Sequence, residues 1–241
     1  SMNDSGLGQE MGLVDRVVYR FCWSILWLAL KAWFRFRVVG KEHLPKVEPY
    51  ILAPVHRSYL DTPVGGMATS RRLRFLGKES LWNSRFAGRF LTIVGGFPVE
   101  RGTADRAALR ACQEVLERGE PMVMFPEGTR RHGPVVLAEE MHAGPAFVAV
   151  RAGVPIVPMG IAGTDHAMPG GSAFIRPTKV FLVVGEPIRP PVLEGRVPRR
   201  VVEEFTEELR QQMQVVFDEA QRLAGRPALP RPVLPEPLDG D

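Results

Sequence analysis

His56 and Asp61 stand five positions apart in the segment VHRSYLD, at the end of an apolar run. A strand ending in histidine that turns into a helix carrying aspartate can set a carboxylate against an imidazole. Such a pair fixes the tautomer, stabilises the imidazolium and leaves the second ring nitrogen free as a base. On spacing alone a structural histidine at a helix start is the stronger reading, with a catalytic one left open. Three further segments carry chemistry. FPEGTR, from Phe125 to Arg130, follows a short apolar run. Its Pro126 and Gly128 restrict a turn whose amides could face an anion, while Glu127 and Arg130 could equally form a simple ion pair. GGFPVER ends in Arg101, whose planar fork suits two phosphate oxygens or a surface pairing with Glu100 or Asp105. VPIVPMG, from Val154 to Gly160, carries two prolines, which predict an extended, edge-like segment.

Several chemistries are missing from the chain. It has no Gly-rich phosphate loop of the Walker type, no dinucleotide fingerprint, no Gly-x-Ser-x-Gly elbow and no Cys/His pair at zinc spacing. No metal or cofactor is therefore expected. Ser58 lies between His56 and Asp61 but has nothing that marks a nucleophile. Two cysteines, Cys22 and Cys112, cannot build a disulfide framework. The net charge of +4 on 241 residues is too small and too scattered to argue for nucleic acid. The longest uncharged run, Ala152 to Thr164, is shorter than a spanning helix and broken by proline. The chain reads as soluble or attached to a membrane from one side.

The elements that must hold these residues alternate in type. Tyr50–Val55, Leu73–Gly77, Ile93–Val99, Met122–Phe125, Ile156–Met159 and Val180–Val184 read as strands, with Arg35–Val39 before them. Helices are expected near Thr62–Thr69, between the N-cap Thr103 and the stop at Gly119, over Pro145–Val150, and over Glu203–Leu223. The fold class is α/β: a single domain with a mixed, largely parallel sheet covered by helices, plus an N-terminal amphipathic, membrane-facing helix. The boundaries expected are 1–37 for the helix region, 38–225 for the α/β domain and 226–241 for a disordered Pro-rich tail. On the N-terminal helix Arg16, Arg20, Lys31 and Arg35 form one stripe against a broad face of Trp and Leu. That pattern suits a helix lying in a bilayer interface, with Arg16, Arg20, Trp23, Trp27 and Lys31 as membrane contacts. A helix docked on its own domain is the alternative. A second basic cluster, Arg71 to Arg89, could meet lipid head groups, a substrate phosphate or an acidic carrier, or be a solvated face.

In order and spacing these four segments resemble the glycerolipid acyltransferase family, most of all the 1-acylglycerol-3-phosphate (lysophosphatidic acid) acyltransferases. That family has a His-x-x-x-x-Asp motif, a Gly-x-x-x-x-Arg-like block, the Phe-Pro-Glu-Gly-Thr block and a Val-Pro-x-x-Pro-like block. FPEGTR is matched in full, and the likeness covers about Val39 to Ile188. Two positions depart: Val55 stands where asparagine is usual, and His142 where lysine is common. The resemblance implies transfer of a fatty acyl group from an acyl-CoA or acyl-carrier-protein thioester to the free hydroxyl of lysophosphatidic acid. It implies His56 as general base and Asp61 as its orienting partner. It implies Arg101, Glu127, Gly128, Thr129 and Arg130 around the acceptor phosphate, with Glu127 ordering the arginines. The region of Val157, Pro158 and Gly160 is expected near the acyl donor or the oxyanion. Glycerol-3-phosphate or another lysophospholipid is the alternative acceptor. A non-catalytic lipid-binding protein on the same fold is the alternative of another class. The place implied is the cytoplasmic face of an anionic membrane, peripheral or monotopic.

Overall fold

The computed structural model describes residues 11–99, 105–169, 172, 174–193 and 195–231. Arg101 lies outside them. The chain opens with α1 (Leu13–Phe34) and β1 (Arg37–Val39), followed by β2 (Ile51–Pro54), α2 (Asp61–Gly66) and β3 (Phe75–Lys78). Next come α3 (Arg85–Val94), β4 (Gly96–Val99), α4 (Asp105–Glu117), β5 (Met122–Val123) and α5 (Gly144–Ala152). β6 (Ile156–Ala162), α6 (Thr164–Ala167), β7 (Phe181–Val184) and α7 (Arg199–Ala224) complete it.

Five strands form the main sheet in the order β1-β7-β6-β2-β5. Every neighbouring pair is parallel except β6 with β7. β3 and β4 form a separate parallel pair, tied to the main sheet where Arg74 bridges Met122. A largely parallel sheet must be covered on both faces, and its central strand reads as a continuous apolar run. β6, IVPMGIA, is that strand, buried at every position. α7 lies against β6 and β7 through Phe205, Leu209, Met213, Val216 and Phe217. Gly160 is where they meet, since a Cβ there would stand 2.2 Å from the Val216 carbonyl oxygen.

The edge-like reading of Val154–Gly160 is corrected by this arrangement. β6 is extended but central. Pro158 is tolerated because Ile156 exchanges both bonds with Ile188 while Gly185 donates to the Pro158 oxygen. By the two-residue alternation of a strand, the missing Pro158 N–H falls opposite 186–187, where the chain has left β7. α3 was not anticipated from sequence. It occupies part of the segment read as the strand Ile93–Val99, and stops at Gly95 with φ 113°.

The N-terminal region is not a separate unit. Leu30, Phe34 and Phe36 belong to the same core as the sheet. α1 turns Tyr19, Cys22, Trp23, Leu26 and Leu30 toward the domain and leaves Leu13, Val14, Val17, Phe21, Ile25 and Leu28 exposed. The reading of a helix docked on its own domain therefore holds for one face, and the other face is exposed. Trp23 and Trp27 must be reassigned, however. Both are half-buried against the core. The Trp23 indole donates to the Thr69 carbonyl at 3.1 Å, and Trp27 stacks on Trp23 with ring centroids 6.3 Å apart and carries the Lys31 ammonium over its ring. Arg16, Arg20 and Lys31 remain exposed.

Part of the Arg71–Arg89 cluster is likewise spent inside. Arg71 donates to the carbonyls of Pro45, Val47, Glu48 and Gly119. Arg74 donates through Nη1 to both carboxylate oxygens of Glu120, at 2.9 and 3.0 Å. Lys78, Arg85 and Arg89 are exposed. The tail also needs correction in its first part, 226–231. Leu229 donates to Asp165 at 2.6 Å and accepts from Gly133 at 2.8 Å. Residues 232–241 lie outside the described chain.

Candidate active site

β2 ends at Pro54, and the loop that follows brings His56 and Asp61 together at the start of α2. His56 Nδ1 lies 3.2 Å from Asp61 Oδ2. A carboxylate only accepts, so Nδ1 carries the proton and Nε2 presents its lone pair. Among the described residues Nε2 takes no hydrogen bond. The ring is 15% exposed at its side chain, and Phe125 covers one face with ring centroids 4.2 Å apart. The imidazole is therefore oriented and desolvated on one side, and open on the nitrogen that can receive a proton.

Asp61 is fully buried and bonded on both oxygens. Oδ2 also accepts the backbone amides of Arg57 at 2.6 Å and Ser58 at 2.7 Å. Oδ1 accepts the Thr164 hydroxyl at 2.6 Å. Four donors hold one carboxylate, which satisfies a charge that burial alone would make costly. Ser58 is buried, and its hydroxyl accepts from the Leu60 amide at 3.3 Å.

The FPEGTR turn locks this loop from outside. Glu127 is fully buried. Its Oε2 accepts the His56 amide at 2.8 Å, and both oxygens take Arg57 Nη1 at 2.8 Å. Arg57 spends its other donors on the carbonyls of His56, Gly133 and Val135. Its guanidinium also lies over the Phe217 ring at 4.9 Å. Glu127 does order an arginine, but that arginine is Arg57, and its carboxylate has no face left for a ligand. It is corrected from the acceptor-phosphate set to the frame of the catalytic loop.

Gly128, Thr129 and Arg130 are exposed beside this frame. Gly128 has φ 67°, and a Cβ there would meet His142 Nε2 at 2.6 Å, so both conformation and space require glycine. Arg130 Cζ lies 3.4 Å from the centre of the Tyr59 ring, which draws its charge onto the His56–Asp61 loop. Burial, with Arg231, Arg130 and Arg57 nearby, lowers the pKa of His132, so this side of the loop carries positive potential. Val157, Pro158 and Gly160 do not reach the surface of the site. They are buried in β6, whose edges are occupied by β2 and β7. Their assignment to the donor or oxyanion region is withdrawn, because a ladder consumes the amides it would need.

An apolar cavity of about 380 Å³ lies between α1, α2 and α3. Tyr19, Trp23, Leu26, Gly66, Met67 and Phe90 line it, and Thr62 and Pro63, directly after Asp61, form part of its wall. Among the described residues no three His, Cys, Asp or Glu side chains converge as a metal site would require. Among them, too, no helix is long and apolar enough to cross a membrane.

Arg57 and Thr164 are the site residues that sequence reasoning missed. Arg57 stands inside the motif itself, but its partner Glu127 is 70 residues away and had Arg130 as a nearer candidate. Thr164 gave no signal, being 103 residues from its partner.

A family model described as Acyltransferase matches residues 35–162. A 1-acyl-sn-glycerol-3-phosphate acyltransferase of Bacillus subtilis is 26% identical over 172 residues, 71% of this chain and 82% of that protein. A chloroplastic 1-acyl-sn-glycerol-3-phosphate acyltransferase of Brassica napus is 27% identical over 73% of this chain, which spans only 53% of that relative. The crystal structure of the 1-acyl-sn-glycerophosphate (LPA) acyltransferase PlsC from Thermotoga maritima superposes with a TM-score of 0.64 at 29% identity. The match covers 88% of this chain and 82% of that one.

Proposed function

We propose a specific reaction for this chain, which belongs to the acyltransferase family: transfer of a fatty acyl group from a thioester to the free hydroxyl of a 1-acylglycerol-3-phosphate. The observation that carries the reading is the His56–Asp61 pair, with Nδ1 committed to the carboxylate and Nε2 open. The acceptor hydroxyl gives its proton to Nε2 as its oxygen bonds to the thioester carbonyl carbon. Asp61 offsets the charge of the imidazolium that results. The tetrahedral intermediate then expels the thiolate, which takes the proton back from Nε2. The base is restored, and no acyl-enzyme forms.

The surroundings support the same reading. The acceptor phosphate is assigned to Arg130, beside the His56–Asp61 loop, and on the family resemblance alone to Arg101; the acyl chain is assigned to the apolar cavity behind Thr62 and Pro63. The thioester comes from acyl-CoA or an acylated carrier protein. The exposed apolar face of α1, flanked by Arg16, Arg20 and Lys31, and the exposed Phe86 and Phe90 of α3, form the surface by which the protein lies on an anionic membrane from its cytoplasmic side.

Purified protein incubated with lysophosphatidic acid and a long-chain acyl-CoA releases free thiol, and His56→Ala stops the release. Equal release by the two proteins refutes the assignment of the base. No acceptor-dependent release from either favours a lipid-binding role. A panel containing glycerol-3-phosphate and other lysophospholipids fixes the acceptor.

A further inference from the structure

We propose that Thr164 is a positioning residue of the transfer reaction, acting through Asp61. The inference rests on the reading of His56 as base. The two oxygens of Asp61 are loaded unequally. Oδ2 takes His56 Nδ1 and two backbone amides, whereas Oδ1 takes the Thr164 hydroxyl alone. The amides anchor one oxygen, and rotation of the carboxylate about that anchor is the freedom left. Thr164 removes it. The His56 contact, at 3.2 Å, is the longest of the four, and is the first that a rotated carboxylate would give up.

Thr164 is itself fixed from several sides. It is fully buried and follows Gly163, which turns the chain out of β6 at φ 97°. A Cβ at Gly163 would stand 2.0 Å from the Lys179 carbonyl oxygen, so the turn admits only glycine. α6 is closed by bonds from Ala167 to Gly163 and from Met168 to Thr164. The neighbouring Asp165 is held by the Leu229 amide. A buried threonine commonly returns its hydroxyl to its own backbone. This one donates its hydrogen bond across the fold to the carboxylate that orients the base.

The test compares Thr164→Val, which keeps the shape and removes the donor, with Thr164→Ser, which keeps the donor. Loss of one buried hydrogen bond that orients the base lowers kcat roughly tenfold in the valine variant. The KM values for donor and acceptor stay within about twofold, and serine restores kcat. Circular dichroism and thermal midpoints confirm that each protein is folded at the assay temperature. If valine is not accommodated, Thr164→Ala takes its place against serine. An unchanged kcat in the variants lacking the hydroxyl overturns the inference. So does a serine variant as impaired as valine, or a loss that appears in KM. If His56→Ala matches wild type, the parent reading fails instead. His56→Ala inactive with Thr164→Val fully active removes Thr164 alone.

Discussion

Replacing Glu127 by glutamine leaves the shape of the loop intact and removes the counter-charge of a buried guanidinium. Arg57 and Glu127 side chains are 2% and 0% exposed, so solvent cannot take over. Three backbone carbonyls remain around Arg57, but none carries a full charge. The amide fails in either orientation, because its NH₂ must face the His56 amide or Arg57 Nη1, both donors. Breaking a buried pair from one side costs about 3–5 kcal/mol. At about 2–4 °C per kcal/mol for a chain of this size, the melting point should fall by roughly 6–20 °C. Urea titrations of wild type and Glu127→Gln measure the cost directly, and an unchanged m-value shows that the folded state keeps its extent. The double variant Arg57→Met/Glu127→Gln removes both charges and keeps an oxygen for the His56 amide. It should recover more than half of the loss. A single variant within about 1 kcal/mol of wild type, or a double variant no better than the single, refutes the view that this pair frames the loop.

Two other predictions use different parts of the molecule. Burial pushes the Cys112 thiol from 9.0 up to about 12. The unfolded chain therefore releases this proton above pH 9 while the folded one keeps it, and stability falls with rising pH over that window. The contribution reaches about 1.4 kcal/mol at pH 10. Urea midpoints at pH 8 and pH 10 should show a shallower loss in Cys112→Ala, and an equal loss rejects the assignment. Gly66 lines the apolar cavity, and a Cβ there meets nothing within 4 Å. Gly66→Leu should displace about four methylenes at about 0.8 kcal/mol each, cutting kcat/KM for the longest accepted acyl chains by on the order of 100-fold. Shorter chains should be spared, and a uniform loss across chain lengths removes the cavity as the acyl site.

Periodicity and end signals were enough for the elements that obey local rules. α4 and α7 were read from their apolar spacing, and β2, β6 and β7 from continuous apolar runs. α3 escaped because its last residues, Ile93 and Val94, run through Gly95 into the apolar β4 and were read with it as one strand; its stability comes from packing on α1 and on the turn before it. The His56–Asp61 pair was legible because its partners are five residues apart. What surrounds it was not, since Glu127 and Thr164 reach the loop by tertiary packing that no local pattern encodes. The Val157–Gly160 block was recognised as a motif and misplaced as chemistry. Its small residue and prolines serve the approach of α7 and the exit from β7. Trp23 and Trp27 show the same limit, since an apolar helix with two usable faces does not say which tryptophan turns inward.

The order of strands has a consequence for how the chain comes off the ribosome. β1 follows α1 directly, yet the strand it pairs with is β7, Val39 lying beside Val183. Its place in the sheet does not exist until some 140 residues later. At about 5–20 residues per second, α1 would wait roughly 7–30 s before its edge of the sheet could form. Within that interval α2 and α3 emerge and can cover the inner face of the helix, while Leu13, Val14, Val17, Phe21, Ile25 and Leu28 stay uncovered. A nearby lipid surface could receive the helix first, and the domain would then fold onto a segment already moored.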